Sequence, residues 1–122
     1  MDVRCAFLNG KPEEKLHIYR PSGYSDHPET HVFVLNKSLY GLKQSPRCWH
    51  KVLKNTLISI GLTPCFTDPC LYYSQDKRKP FWLFIHVDNL VLGGTWNQSF
   101  KLKIKMFFEM EYQGEIKYAL GI

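Results

Sequence analysis

Two apolar runs, 81–87 (FWLFIHV) and 90–92 (LVL), are separated only by Asp88 and Asn89, and this arrangement constrains the fold more than any other feature of the chain. Short runs rich in aromatic and β-branched residues read as strands, and a two-residue polar link reads as a hairpin, because Asn and Asp tolerate the positive φ angles of a tight turn. An antiparallel sheet therefore stands at the centre. Residues 46–60 supply a helix to pack on it: Trp49, Val52, Leu53, Leu57 and Ile60 fall on one stripe, with Ser45 as N-cap, Pro46 at the first helical position and Gly61 as the stop. Residues 97–110 supply a second helix, with Phe100, Ile104, Phe107 and Phe108 near one face and Lys101, Lys103 and Lys105 largely on the other.

The rest of the chain reads as further strands. Residues 2–8 form one, ended by the turn signal Asn9-Gly10; 16–19 and 31–35 form two more; 71–73 leads through the polar SQDKRK link into 81–87; and 116–122 forms a last strand after a Gln113-Gly114 turn. This order predicts an α+β domain, an antiparallel sheet with two helices packed on one face. Trp49, Trp82 and Phe107 are expected in its core on burial preference. With 122 residues, no repeat and no linker, one domain is the simplest reading.

Composition narrows the class. Hydrophobic residues at 44% and charged residues at 22% argue against disorder, and no apolar run approaches the roughly 18 residues that span a bilayer. The opening MDVRCAFLNG lacks the basic and long apolar segments of a secretory signal, so an intracellular location, cytoplasm or nucleus, is expected, with Cys5, Cys48, Cys65 and Cys70 as free thiols. A net charge of +5, with basic residues gathered at 43–54, 77–79 and 101–105, suits either a polyanionic partner or ordinary solvated faces.

Taken alone, Asp88-Asn89 is either a turn or a metal site short of one ligand. Asp2 is the second acidic residue of interest, since carboxylates from neighbouring strands converge on hard cations such as Mg²⁺. Two such cations roughly 3.5 to 4 Å apart activate a hydroxyl and stabilise a phosphate leaving group. That chemistry calls for about three acidic ligands; the chain offers Asp2 and Asp88, with Asn89 in the third place.

The stretches DVRCAFLNG, SLYGLKQSPRCW, TDPCLYY, HVDNLVLGG and FEMEYQGEIKYALGI, in that order, resemble the central and C-terminal part of a copia-type retrotransposon reverse transcriptase, across essentially the whole chain. The resemblance implies a truncated polymerase palm: residues 1–122 as a single partial reverse transcriptase domain, palm with part of the fingers, thumb and RNase H absent. It implies RNA-directed DNA polymerisation by two-metal nucleotidyl transfer. Mg²⁺ would be the cofactor and an RNA/DNA primer-template and dNTP the partners, with no membrane role and the remainder of a polyprotein as a further partner.

Residue by residue, the resemblance makes Asp2 and Asp88 the catalytic metal ligands, with Asn89 where the family's hairpin has a second aspartate and His86 where it has a tyrosine. Phe7 would stack under the nucleotide's sugar and exclude a 2′-hydroxyl; Tyr40, Gly41, Lys43, Gln44 and Ser45 would line the nucleotide and template side; Tyr118, Leu120 and Gly121 would begin the strand pair that grips the primer. Asparagine removes a full negative charge from the site, and loss of one preorganised electrostatic group commonly costs on the order of a hundredfold. A catalytically defective chain is therefore expected, the truncation adding to the effect. The alternative is a nucleic-acid-binding module that retains the basic palm groove and binds in a steeply salt-dependent way.

Overall fold

The computed structural model describes residues 1–23, 30–95 and 97–118. Six strands form one antiparallel sheet: β1 (Asp2–Val3), β4 (Leu62–Pro64), β5 (Leu71–Ser74), β6 (Phe81–His86), β7 (Asn89–Gly94) and β8 (Met110–Glu111), in the spatial order β4-β5-β6-β7-β1-β8. β2 (His17–Tyr19) and β3 (Val32–Val34) pair separately as a small antiparallel ribbon. The helices are α1 (Ser45–Ser59) and α2 (Asn97–Lys105). The α+β expectation holds at this level.

Alternation on β6 sets the two faces of the sheet. Phe81, Leu83 and Ile85 are buried and Trp82 and His86 exposed, as a period of two requires of a half-covered strand. α1 lays Trp49, Leu53 and Leu57 into the same core cluster, and α2 adds Phe100 and Ile104, with the Phe100 ring 5.0 Å from that of Phe81. Burying each such side chain contributes about 1.5–3 kcal/mol, so the two short helices depend on the sheet for most of their stability. Among the described residues, no helix is long and apolar enough to cross a membrane.

Several local expectations are corrected. The first strand is two residues long, not seven: Cys5 takes a left-handed φ of 50° and Ala6–Asn9 turn into a 3-10 helix, whose carbonyls at Cys5 and Ala6 accept from the Asn9 amide. Gly10 explains the turn there, because a Cβ would stand 3.0 Å from the Trp49 backbone nitrogen; its absence lets this 3-10 helix lie against α1. Ser45 is not the N-cap. Gln44 occupies that place without a side-chain bond, and the Ser45 hydroxyl donates instead to the Leu39 carbonyl at 2.5 Å. Gly61 does stop α1, at φ +99°.

α2 ends at Lys105, five residues earlier than expected, and residues 106–108 turn back so that β8 can pair with β1. That turn leaves Phe107 53% exposed, while Phe108 is buried. Trp82 is 46% exposed and lies across Gly93 on the open face, so neither it nor Phe107 belongs to the core. Residues 116–118 form no strand, and 119–122, with Leu120 and Gly121, lie outside the described residues.

Candidate functional site

The hairpin turn consists of Val87 and Asp88, not Asp88 and Asn89, since His86 pairs with Asn89 across the ladder. The positive φ falls on Val87, at 56°, an uncommon conformation for a β-branched residue. Asn89 is thereby the first residue of β7 and is held in register. Asp2 stands opposite Asn89 on one side and Glu111 on the other. Directly paired residues share a face of a sheet. His86, Asn89, Asp2 and Glu111 thus form one polar row across β6, β7, β1 and β8, on the face away from the helices.

Three contacts tie this row down. The Val3 N–H donates to the Asp88 carbonyl at 2.9 Å, the Asn89 amide donates to Asp88 Oδ1 at 3.0 Å, and the Gln113 amide donates to Asp2 Oδ2 at 3.4 Å. Arg4 pairs with Glu109 and Glu111 at 3.0 and 3.3 Å, which fastens β8 to β1 but occupies the Glu111 carboxylate. Gln113 and Glu111 were invisible as site residues in the sequence; a two-residue strand has no periodicity to announce it.

Phe7 is buried on the 3-10 helix, and its ring packs on Tyr40 with centroids 4.3 Å apart. Tyr40 remains more than half exposed, yet burial of its hydroxyl and then the negative field of Asp88 push its phenol above the ordinary value, with Cys5 and Asp2 adding to the shift and a backbone bond at Ala6 opposing it. Tyr40 is therefore within electrostatic reach of both aspartates. The fold thus sets Asp2 opposite Asn89, Asn89 against Asp88, and Phe7 against Tyr40, whose phenol feels the charge of both aspartates.

The other expected residues are placed differently. Gly41 and Lys43 are exposed beside Tyr40, Gln44 is half-buried, and Ser45 is fully buried with its hydroxyl spent on the Leu39 carbonyl, so it supports the loop from beneath. Tyr118 is exposed and lines, with Phe84, His86, Asn89, Val91 and Gln113, a groove of about 720 Å³ on the open face.

The donor set indicates what the site could hold. Mg²⁺ is commonly bound through one or two carboxylates and completed by substrate phosphates. Asp2 and Asp88 provide two carboxylates and Asn89 a neutral carbonyl oxygen, whereas no group of three or more His, Cys, Asp or Glu among the described residues forms an all-protein cage. The residues fit a cation completed by a phosphate-bearing substrate and fall one carboxylate short of a fully charged two-cation site.

Comparison with known proteins gives the lineage. The family model described as reverse transcriptase (RNA-dependent DNA polymerase) matches residues 1–122. All of the chain aligns with 10% of the retrovirus-related Pol polyprotein from transposon TNT 1-94 of Nicotiana tabacum, at 35% identity. It aligns with 9% of the corresponding polyprotein from transposon RE1 of Arabidopsis thaliana at 31%, and with 41% of a transposon Ty5-1 protein of Saccharomyces cerevisiae at 28%. The chain thus spans about a tenth of the length of these plant relatives. No solved structure matches it. With the family model covering every residue, the chain belongs to the reverse transcriptase (RNA-dependent DNA polymerase) family, in the copia-type retrotransposon group that its motifs resemble.

Proposed function

We propose that this chain is a polymerase palm whose ancestral reaction is RNA-directed DNA polymerisation, and that Asn89 holds its activity far below that of a site with a full set of carboxylates. The observation that carries this reading is the register Asp2 to Asn89, beside the Asp88 turn and the Phe7–Tyr40 pair. Asp2 and Asp88 would hold Mg²⁺, which when bound supplies charge neutralisation for the triphosphate and lowers the pKa of the attacking 3′-hydroxyl. The Phe7 ring, backed by Tyr40, forms an apolar floor that would carry the sugar and leave no room for a 2′-hydroxyl. Lys43, exposed beside Tyr40, would meet the phosphates or template. Tyr118, in the groove shared with Asn89, is the residue best placed to approach the primer.

Primer extension on an RNA template with Mg²⁺, comparing the native chain with Asn89→Asp, tests the proposal. Restoring the carboxylate is expected to raise extension by about a hundredfold or more. Robust extension by the native chain would overturn the claim that Asn89 limits it, and absence of extension from both would remove the polymerase reading of the isolated chain.

A second reading, a binding module without catalysis, is favoured by the exposed Lys43 and Arg47 flanking the start of α1. It predicts affinity for a primer-template duplex that falls steeply with salt, through release of phosphate counterions. Asn89→Asp would leave that affinity nearly unchanged, which separates the two readings.

A further inference from the structure

The aspartate of the hairpin turn is pinned from both sides by elements far apart in sequence. On one side, the Trp49 indole Nε1–H donates to the Val87 carbonyl at 2.7 Å, and this oxygen belongs to the peptide whose N–H is that of Asp88. On the other, the Val3 N–H donates to the carbonyl of Asp88 itself at 2.9 Å. The peptide planes before and after Asp88 are thus fixed, one by α1 and one by β1, and the direction of its Cα–Cβ bond is fixed with them.

The indole bond bears on a strained point. Val87 holds a φ of 56°, which persists in a β-branched residue only where its surroundings over-determine it. Trp49 can impose that constraint because it is itself immobile: it is 2% exposed, its ring meets Phe108 edge-on at 5.0 Å, and its backbone is closely approached by Gly10. Gly10 ends the 3-10 helix that carries Phe7, so the same tryptophan references the apolar floor and the carboxylate to one point of α1. Phenylalanine or leucine would be apolar there too, though smaller; only tryptophan adds an N–H donor.

We propose that Trp49 is a positioning residue, whose indole N–H fixes the Val87–Asp88 peptide and thereby aims the Asp88 carboxylate at a divalent cation. The cation part of this inference rests on the function proposed above; the fixing of the peptide does not.

Trp49→Phe keeps a ring against Phe108 and deletes the donor. Two properties of the chain are to be compared with native: affinity for Mn²⁺ alone, followed by paramagnetic broadening of the Asp88 amide resonance, and hydrogen exchange of the Asp88 and Asn89 amides. Loss of a group that orients a metal ligand typically costs tenfold or more in affinity, so a drop of roughly tenfold is expected, with faster exchange at the turn. Leu53→Ala, a buried site in the same helix, should lose stability yet retain Mn²⁺ affinity. Unchanged affinity and exchange in a folded Trp49→Phe chain overturns the proposal, as does an equal loss of affinity in Leu53→Ala, since general loosening would then suffice.

If the native chain binds no Mn²⁺, the cation reading falls, and exchange at the turn still decides whether Trp49 fixes it. Should Trp49→Phe fail to fold, the native chain decides alone: the Trp49 indole proton should exchange far more slowly than that of half-exposed Trp82, and equal rates overturn the proposal.

Discussion

Asp2 stands directly opposite Asn89 in the β1–β7 ladder, while the Asn89 amide donates to the carboxylate of its neighbour Asp88 at 3.0 Å. Asparagine is thus a donor lying between two acceptors. Asn89→Asp would delete that bond and bring a third negative charge beside two others. Without divalent cations the variant should be less stable by about 1 kcal/mol, since like charges directly opposite on a sheet repel on that scale. Added Mg²⁺ should reverse the order and raise its melting temperature above that of the native chain, because a ligand bound only by the folded state stabilises it. Melts with and without Mg²⁺ check this, and a variant indifferent to Mg²⁺ would exclude a cation at this row.

Tyr40 reports on the aspartates without any ligand. Its phenol is held above the ordinary value first by burial and then by Asp88, so Asp88→Asn should let it ionise at lower pH. The stability consequence follows from the direction of the shift. A phenol whose folded pKa exceeds its unfolded value of about 10 favours the folded state fully below that pH, and this contribution is lost as pH rises through the folded value. Buried Tyr72, raised by burial and then by Cys70, acts in the same direction. Alkaline melts and NMR titration of ring-labelled tyrosine should show both effects, with the Asp88→Asn shift confined to Tyr40.

The Trp82 ring occupies the space a Cβ would take at Gly93, its cross-strand partner. Gly93→Ala should therefore displace the ring and destabilise the chain by about 1–3 kcal/mol, the usual cost of overpacking. Denaturant melts give the loss, and a red shift of tryptophan emission should accompany it. An unchanged melt would mean that the ring moves freely off the strand.

Tyr72 is fully buried, and its hydroxyl finds no hydrogen-bond partner among the described residues. An unsatisfied buried hydroxyl costs on the order of 1–3 kcal/mol, so Tyr72→Phe should be neutral or stabilising by up to about that amount. A clear loss of stability would show that the oxygen is bonded in solution.

Much of the fold could be read in advance because its signals were long. α1 carried four turns of consistent period, and Trp49, Leu53 and Leu57 are indeed buried, with Val52 and Ile60 packed against the core. Phe100 and Ile104 identified the inner face of α2 in the same way. The turn was misplaced by one residue for a specific reason. Ile85, Leu90 and Leu92 lie on one face whether the turn is Val87-Asp88 or Asp88-Asn89, because moving the turn by one residue shifts the pairing by two, so hydrophobic alternation cannot choose between the registers. Turn preference favoured Asp-Asn; tertiary contacts decided otherwise, through the Trp49 bond to the Val87 carbonyl and the fit of Trp82 over Gly93.

The site was legible in part for similar reasons. Motif resemblance drew attention to Asp2, Phe7, Tyr40 and Asp88; the register that sets Asp2 opposite Asn89 beside the Asp88 turn, and the packing of Phe7 on Tyr40, come from tertiary structure. Burial of Ser45 and the approach of Gln113 to Asp2 are three-dimensional outcomes with no local signature.

Among the described residues β1 is the first strand in sequence, yet it is inserted between β7 and β8, the last two. Asp2 therefore finds its partners, Asn89 and Glu111, only after nearly all of the intervening chain has been synthesised. Contacts of such long sequence separation close late and slowly, because the loop entropy must be met before the pairing rewards it. During translation the hairpin of β6 and β7 would exist first with one edge of β7 open. Completion of the polar row therefore waits for Glu111 to emerge, and a ribosome stalled before Met110 would leave β1 without its β8 partner.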